Sequence, residues 1–412
     1  MIHVARALAA LLILTGFGSV SWADKIGAEF QIHKTEDSAQ VQPAVAELAD
    51  GGFVVVWASD VQDGSGWGVF GQRYDESGAR VGKREFRVNK TTESNQEHQS
   101  VAGLPNGGFI VTWASLDQDG SFYNIYAQRY NASGKKVGRR EFQVNQYSAN
   151  NQNRPGVTAL ANGGFVIVWQ SFGQDDNNYG VYGQRYNATG KRRGPREFRI
   201  NETTMLEQGP ASVAGLADGG FVVAWESQGQ DGDADGIFGQ RYDKKGKMVG
   251  SREFQVNKTT EFAQQYPSVS GLAKGGFVIA WASFLQDGSS YGVYAQRYNA
   301  AGKARGKREF RVNKTTNDNQ RIPSVADLAD GGFVIVWQSN GQDGSANGNY
   351  GQRYNAGGKR RGAREFLINT RTVKAQDLPT VAGLTGGDFV VTWESIGQDS
   401  DGWGVYGQRF GP

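Results

Sequence analysis

Residues 51–57 read G-G-F-V-V-V-W, and near copies of this stretch return at one fixed interval to the end of the chain. The Phe recurs at Phe53, Phe109, Phe165, Phe221, Phe277, Phe333 and Phe389, each 56 residues after the last, and the Trp keeps step from Trp57 to Trp393. One supersecondary unit is therefore used seven times, each copy burying its faces against its neighbours. A chain of 412 residues would by length alone allow two or three domains, and the repeat overrides that expectation.

Turn chemistry divides each unit into four strands, as the sixth copy shows. Residues 323–328 form a short strand in which Val325 alternates with the small Ser324 and Ala326. Asp330-Gly331 is a hairpin signal, because both residues accept positive φ. Residues 332–338 are apolar at consecutive positions, which predicts a strand covered on both faces. A third strand follows at 349–354, then an Asn-to-Gly turn at 355–358 and a basic segment. The fourth strand, 364–369, alternates apolar Phe366 and Ile368 with Glu365 and Asn369, as an outer strand should.

Four antiparallel strands and a return loop make a propeller blade, so the chain is expected to be an all-β, seven-bladed β-propeller over residues 24–412. The E-F strand recurs from Phe30 to Phe366, but the last unit stops at Phe410 without one. The strand left over at residues 29–33 should complete the seventh blade and close the ring, leaving no open edge.

Residues 1–23 read as a secretory signal: Arg6, an apolar run over 7–20, then small residues ending at Ala23. The run is shorter than the ~20 apolar residues that span a bilayer, so the expected location is secreted or periplasmic with no transmembrane segment after cleavage. Cysteine is absent, which removes disulfides, thiolate metal sites and thiol nucleophiles. A net charge of +3 makes no claim on specific nucleic acid binding. No G-x-S-x-G or phosphate-loop motif occurs, and His33 and His98 do not recur at equivalent places.

Gln-Asp opens the loop between second and third strands in every copy. In the fourth it grows into alternating Asp231, Asp233 and Asp235, with Asp399 and Asp401 as a partial counterpart in the seventh; such oxygens suit calcium, while the structural alternative is an Asx cap on each loop. Rings stand just before the third strand's apolar residues at Trp67, Tyr123, Tyr179, Tyr291 and Trp403, where they could stack on sugars or wedge between blades. The repeated Gln-Arg-Tyr is expected to pair its Arg with the Glu of the outer strand. Basic residues such as Lys135, Lys136, Arg139 and Arg140 are expected in a connection on the face opposite the Gln-Asp loops, a rim that an anionic polymer could occupy.

Two resemblances rest on these residues. The units Q-D-G-x-x-x-G-V-Y-G-Q-R-Y and E-F-x-V-N, at 62–74 and 85–89, resemble bacterial exported repeat proteins, which implies a propeller and export. The fourth loop resembles the integrin-type (FG-GAP) calcium loops, but residues 237–241 lack the downstream acid of that pattern. The near-identity of the copies leads to the expectation of a monomeric, non-catalytic binding or scaffold module for a glycan or other surface polymer, with calcium as a structural ion and no organic cofactor. The alternative is a carbohydrate-active enzyme, a glycoside hydrolase or lyase working in the central depression; it would need one blade to break the repeat with clustered Asp, Glu, Tyr or Arg.

Overall fold

The computed structural model describes residues 23–36, 38–120, 122–175, 178–399 and 402–412. The expected signal segment falls almost wholly outside them. The chain is a ring of seven four-stranded antiparallel sheets. Blade 1 runs from the inner strand Gln40–Glu47 through Phe53–Asp60 and Trp67–Tyr74 to the outermost strand Arg80–Arg87. Blade 7 contributes three strands of its own, and Lys25–Gln31 supplies the fourth by pairing with Trp403–Phe410. The ring is latched as its sequence requires.

Consecutive apolar residues in each second strand are explained by blade-to-blade packing. Val54 and Val56 of blade 1 pack against Phe109, Val111 and Trp113 of blade 2, while Phe53, Val55 and Trp57 pack against Val390 of blade 7. The Phe of the second strand stacks on the Tyr of the third, at 4.6 Å for Phe53 and Tyr74, an offset arrangement that adds to area burial. Phe30 of the latch strand lies 5.5 Å from Tyr74, so the closing joint reproduces the ordinary one.

Three local expectations are corrected. Inner strands begin earlier than Pro323 and its equivalents: blade 6 starts at Gln320, and a register slip between Arg321 and Ser324 hides the true start by breaking the alternation. The basic residues lie largely within the outermost strand, which begins at Arg360 rather than Arg364 in blade 6, and therefore stand on the circumference rather than on a rim. The Arg of Gln-Arg-Tyr does not pair with the outer-strand Glu. Arg129 instead donates to the carbonyls of Ala188 and Thr189 in the next blade's turn, at 2.8 and 2.7 Å, and Arg241 reaches Asp218 of its own blade at 3.2 Å. The glutamates clamp loops: Glu85 accepts from Gln62 at 2.7 Å and from the backbone N–H of Lys34, in the preceding connection, at 2.8 Å.

Candidate functional site

The ring has two rims. The lower carries the turns after the inner and third strands; the upper carries the Gln-Asp loops and the connections between blades. At the upper end each inner strand opens with an invariant, buried Gln, and the second residue after it breaks the repeat: Gln42, His98, Arg154, Pro210, Tyr266, Ile322 and Leu378. Six of these seven have left-handed backbones, with φ from 48° at Arg154 to 57° at Tyr266. Pro210 is the exception, its ring fixing φ near −65°. A left-handed β-branched residue such as Ile322, at φ 53°, costs roughly 1–3 kcal/mol, and such strain concentrates where chemistry is done.

The residue following the core Trp also varies: Ala58, Ala114, Gln170, Glu226, Ala282, Gln338 and Glu394. Its side chain faces the bulge of the next blade. Glu226 accepts the backbone N–H of Tyr266 at 2.7 Å, and Glu394 that of Gln42 at 2.8 Å. Burial pushes both carboxyls up to about 7, so each takes up its proton as the pH falls through neutrality, well above the ordinary carboxylate range.

Around Glu226 blades 3, 4 and 5 enclose a cavity of about 360 Å³, lined by Arg154, Tyr179, Glu207, Gly209, Asp235 and Gln265 among others. Gly209 is required: a Cβ there would sit 2.8 Å from the Cβ of Glu226. Asp235 and Glu207 add to the rise of the Glu226 carboxyl, while the Arg154 guanidinium opposes it. Asp235 is fixed by Gln265 Nε2 at 2.7 Å, and Gln265 Oε1 accepts the Tyr291 hydroxyl at 2.9 Å. The site thus brings together a carboxyl with a raised affinity for its proton, a second carboxylate residue, a guanidinium and an aromatic ring.

Of the expected rings, Tyr179 lines this cavity and Tyr291 supports it from behind. Tyr123 donates to Glu97 at 2.5 Å, and Trp67 and Trp403 open the third strands of blades 1 and 7, half-buried on the same rim. The expected metal residues do not converge. Asp231 accepts from Asn257 at 2.8 Å, Asp233 from the Phe262 N–H at 2.7 Å, and Asp235 faces the cavity. Asp399 is buried against His33 Nε2 at 2.9 Å, and Asp401 lies outside the described residues. Among the described residues no group of three acidic or histidine side chains is arranged to hold a metal ion. The Gln-Asp aspartates join loop to outer strand: Asp63 accepts from Asn89 at 2.8 Å, and His33 takes the Asn place in blade 7.

Glu226, Arg154 and Glu207 were not singled out from sequence. The signal lay in setting the seven copies beside one another and asking which columns disagree.

No protein-family model matches the chain, and no curated protein matches it in sequence. Solved structures share its fold. A PL25 polysaccharide lyase, an ulvan lyase, superposes with a TM-score of 0.57 at 9% identity, covering 92% of this chain and 95% of its own. The α-L-arabinofuranosidase Arb93A of Fusarium graminearum gives 0.52 at 11% identity, covering 94% and 98%. A protein of unknown function from Dyadobacter fermentans gives 0.56 at 11%, covering 95% and 100%. These likenesses establish the seven-bladed fold. They also correct the expectation of a non-catalytic binding or scaffold module, since propellers of this shape include carbohydrate-cleaving enzymes, which favours the alternative reading.

Proposed function

We propose that the protein is a carbohydrate-active enzyme that cleaves a glycan in the cavity around Glu226, off the ring axis on the upper rim. The observation that carries this reading is the placing of one half-buried carboxyl, its hold on a proton strengthened by desolvation, beside Asp235, Arg154 and Tyr179, on the rim where the units diverge. Glu226 donates its proton to the glycosidic oxygen as the bond breaks, which needs a carboxyl protonated at working pH. Asp235, held by Gln265, is the second carboxylate that glycoside cleavage requires. The ring of Tyr179 offers a flat apolar face to a sugar, and Arg154 orients an anionic or hydroxyl group.

Arg154 and Tyr179 in the same cavity also support a lyase, in which the guanidinium neutralises a uronate carboxylate and the phenol oxygen takes the proton α to it and passes it to the leaving oxygen, as the C4–O bond breaks and a C4–C5 double bond forms. The test is a panel of neutral and uronate-containing polysaccharides, read by new reducing ends and by ultraviolet absorbance of an unsaturated product. Glu226→Gln should lower the rate by about 10²-fold or more with the fold intact. Undiminished cleavage by that variant, or no cleavage of any member by the native protein, sinks the proposal.

Export is part of the same proposal, supported by the three-part pattern of residues 1–23 and by the resemblance to exported repeat proteins. Among the described residues no helix is long and apolar enough to cross a membrane. Calcium at Asp231, Asp233 and Asp235 would use the lone pairs left by the protein donors that these carboxylates accept from. A chelator that leaves the melting curve unmoved rules it out.

A further inference from the structure

Each outermost strand except that of blade 7 carries an outward bulge with an invariant sequence pattern. In blade 1, Arg73 faces Val81 and Gly71 faces Phe86, so residues 82–85 stand out of the ladder. Gly82 makes the bulge, with φ of 96°, and its equivalents in the next five blades have φ between 82° and 101°. Two residues after that Gly stands an arginine in all six: Arg84, Arg140, Arg196, Arg252, Arg308 and Arg364. The following Glu is also invariant, and its clamp on the neighbouring loop explains it.

Nothing of that kind explains the arginines. All six are exposed, and among the described residues none is in an ion pair or a side-chain hydrogen bond. The exposed residue just before each is free to vary, as Lys83, Arg139, Pro195, Ser251, Lys307 and Ala363. A solvated position kept constant beside one that drifts is held by something outside the fold. Bulges characteristically re-aim a side chain, and these aim a guanidinium outward once per blade. The N-terminal strand that completes blade 7 has a shorter bulge with Gly27 and Ala28 and no arginine, so the girdle covers six blades of the ring and stops at the latch.

We infer that this circumferential girdle is a docking surface for a polyanionic polysaccharide. The binding unit is one guanidinium per blade, each able to form a bidentate contact with a carboxylate or sulfate. A flexible polymer can follow successive blades around the edge, whereas a flat bilayer meets one arc at a time and duplex nucleic acid, stiff over about 150 base pairs, would have to be bent at a cost in energy. The choice of a glycan as the polymer rests on the glycan-active reading; the girdle would then hold the substrate polymer while the cavity on the upper rim cuts it.

The test is affinity electrophoresis of the full-length protein through gels containing polygalacturonate, with neutral dextran, single-stranded DNA and anionic phospholipid vesicles as parallel arms. The native protein should be retarded by polygalacturonate and released by salt. The sixfold variant R84Q/R140Q/R196Q/R252Q/R308Q/R364Q should lose at least about tenfold in apparent affinity, and R84Q/R196Q/R308Q an intermediate amount, with melting temperatures unchanged. Glu226→Gln should be retarded like the native protein, which separates failure of the girdle from failure of the catalytic reading. Equal retardation of native and sixfold variant, no retardation of the native protein, or tighter binding to DNA or vesicles than to polygalacturonate would each overturn the inference.

Discussion

The two ends of the inner strand obey opposite rules. At the lower end a constant Val, as at Val45 or Val325, leads into a Gly-containing hairpin that differs little from blade to blade. At the upper end six of seven bulge residues are left-handed and no two are alike. The lower end is fixed because neighbouring inner strands meet there, as where the Gly215 N–H donates to Thr158 Oγ1 at 3.0 Å and the Asp327 N–H to Ser270 Oγ at 3.1 Å. The upper end lines open space, so its side chains are released from packing and can be spent on chemistry. Repetition supplies the frame, and the columns that escape repetition are free to differ in chemistry from blade to blade.

That contrast can be broken most forcefully at the frame. Deleting residues 24–35 removes the latch strand and should lower the melting temperature by an amount on the order of 10 °C or more, measured by circular dichroism; an unchanged curve would contradict the closed ring. Next in size, Trp225→Ala should cost about 3–5 kcal/mol in denaturant unfolding, because the side chain is fully buried and its indole N–H reaches Gln208 at 3.1 Å. Tyr179→Ala, on the rim of the same ring, should abolish most glycan cleavage and move stability by less than about 1 kcal/mol. Equal stability losses for the two would erase the distinction between frame and rim.

A smaller effect separates the latch from the other joints. His33 Nδ1 stands 3.0 Å from the Val405 N–H, and Nε2 stands 2.9 Å from Asp399 Oδ2 and 2.8 Å from Gln31 Nε2. Burial lowers the His33 value below its ordinary 6.5, against the pull of Asp399 and Glu85. Stability tied to this group is present at neutral pH and is lost as pH falls below 6.5. His33→Asn, the residue of the other six blades, should flatten the acid side of the stability profile by roughly 2–4 °C.

An effect of similar size, on the alkaline side, is expected at the rim itself. The Glu226 carboxyl rises from 4.5 to about 7 on folding, so ionising it costs native stability progressively between those values and fully above them. Glu226→Gln should therefore gain roughly 2–5 °C over the native protein at pH 8 and little at pH 4. Activity resting on the protonated form should fall on the alkaline side of about 7.

The fold was legible because every blade states it again. Phe53, Trp57 and Tyr74 recur in phase, hairpin glycines mark the turns, and the unpaired Phe30 strand announces the closure. The bulges were not legible, because a slipped register erases the period-2 pattern that identifies a strand; hence the late starts assigned to the inner and outer strands. The rings at Tyr179 and Tyr291 stand on the rim that carries the Glu226 cavity, yet Glu226 is hidden inside the apolar run F-V-V-A-W-E-S, where it reads as a strand's polar end. Its environment is built from blades 3, 4 and 5, and no pattern local to one unit reports that meeting.

The outer-strand glutamates have a further consequence. Each one bridges a loop of its own blade and the connection arriving from the blade before, and Glu29 does the same across the chain termini through the Thr370 N–H at 2.6 Å. An open array of repeats frays from its ends, since terminal copies have one neighbour each. A circle clamped at every seam has no terminal copy to lose first, so heat should disassemble all seven sheets together, in one calorimetric peak.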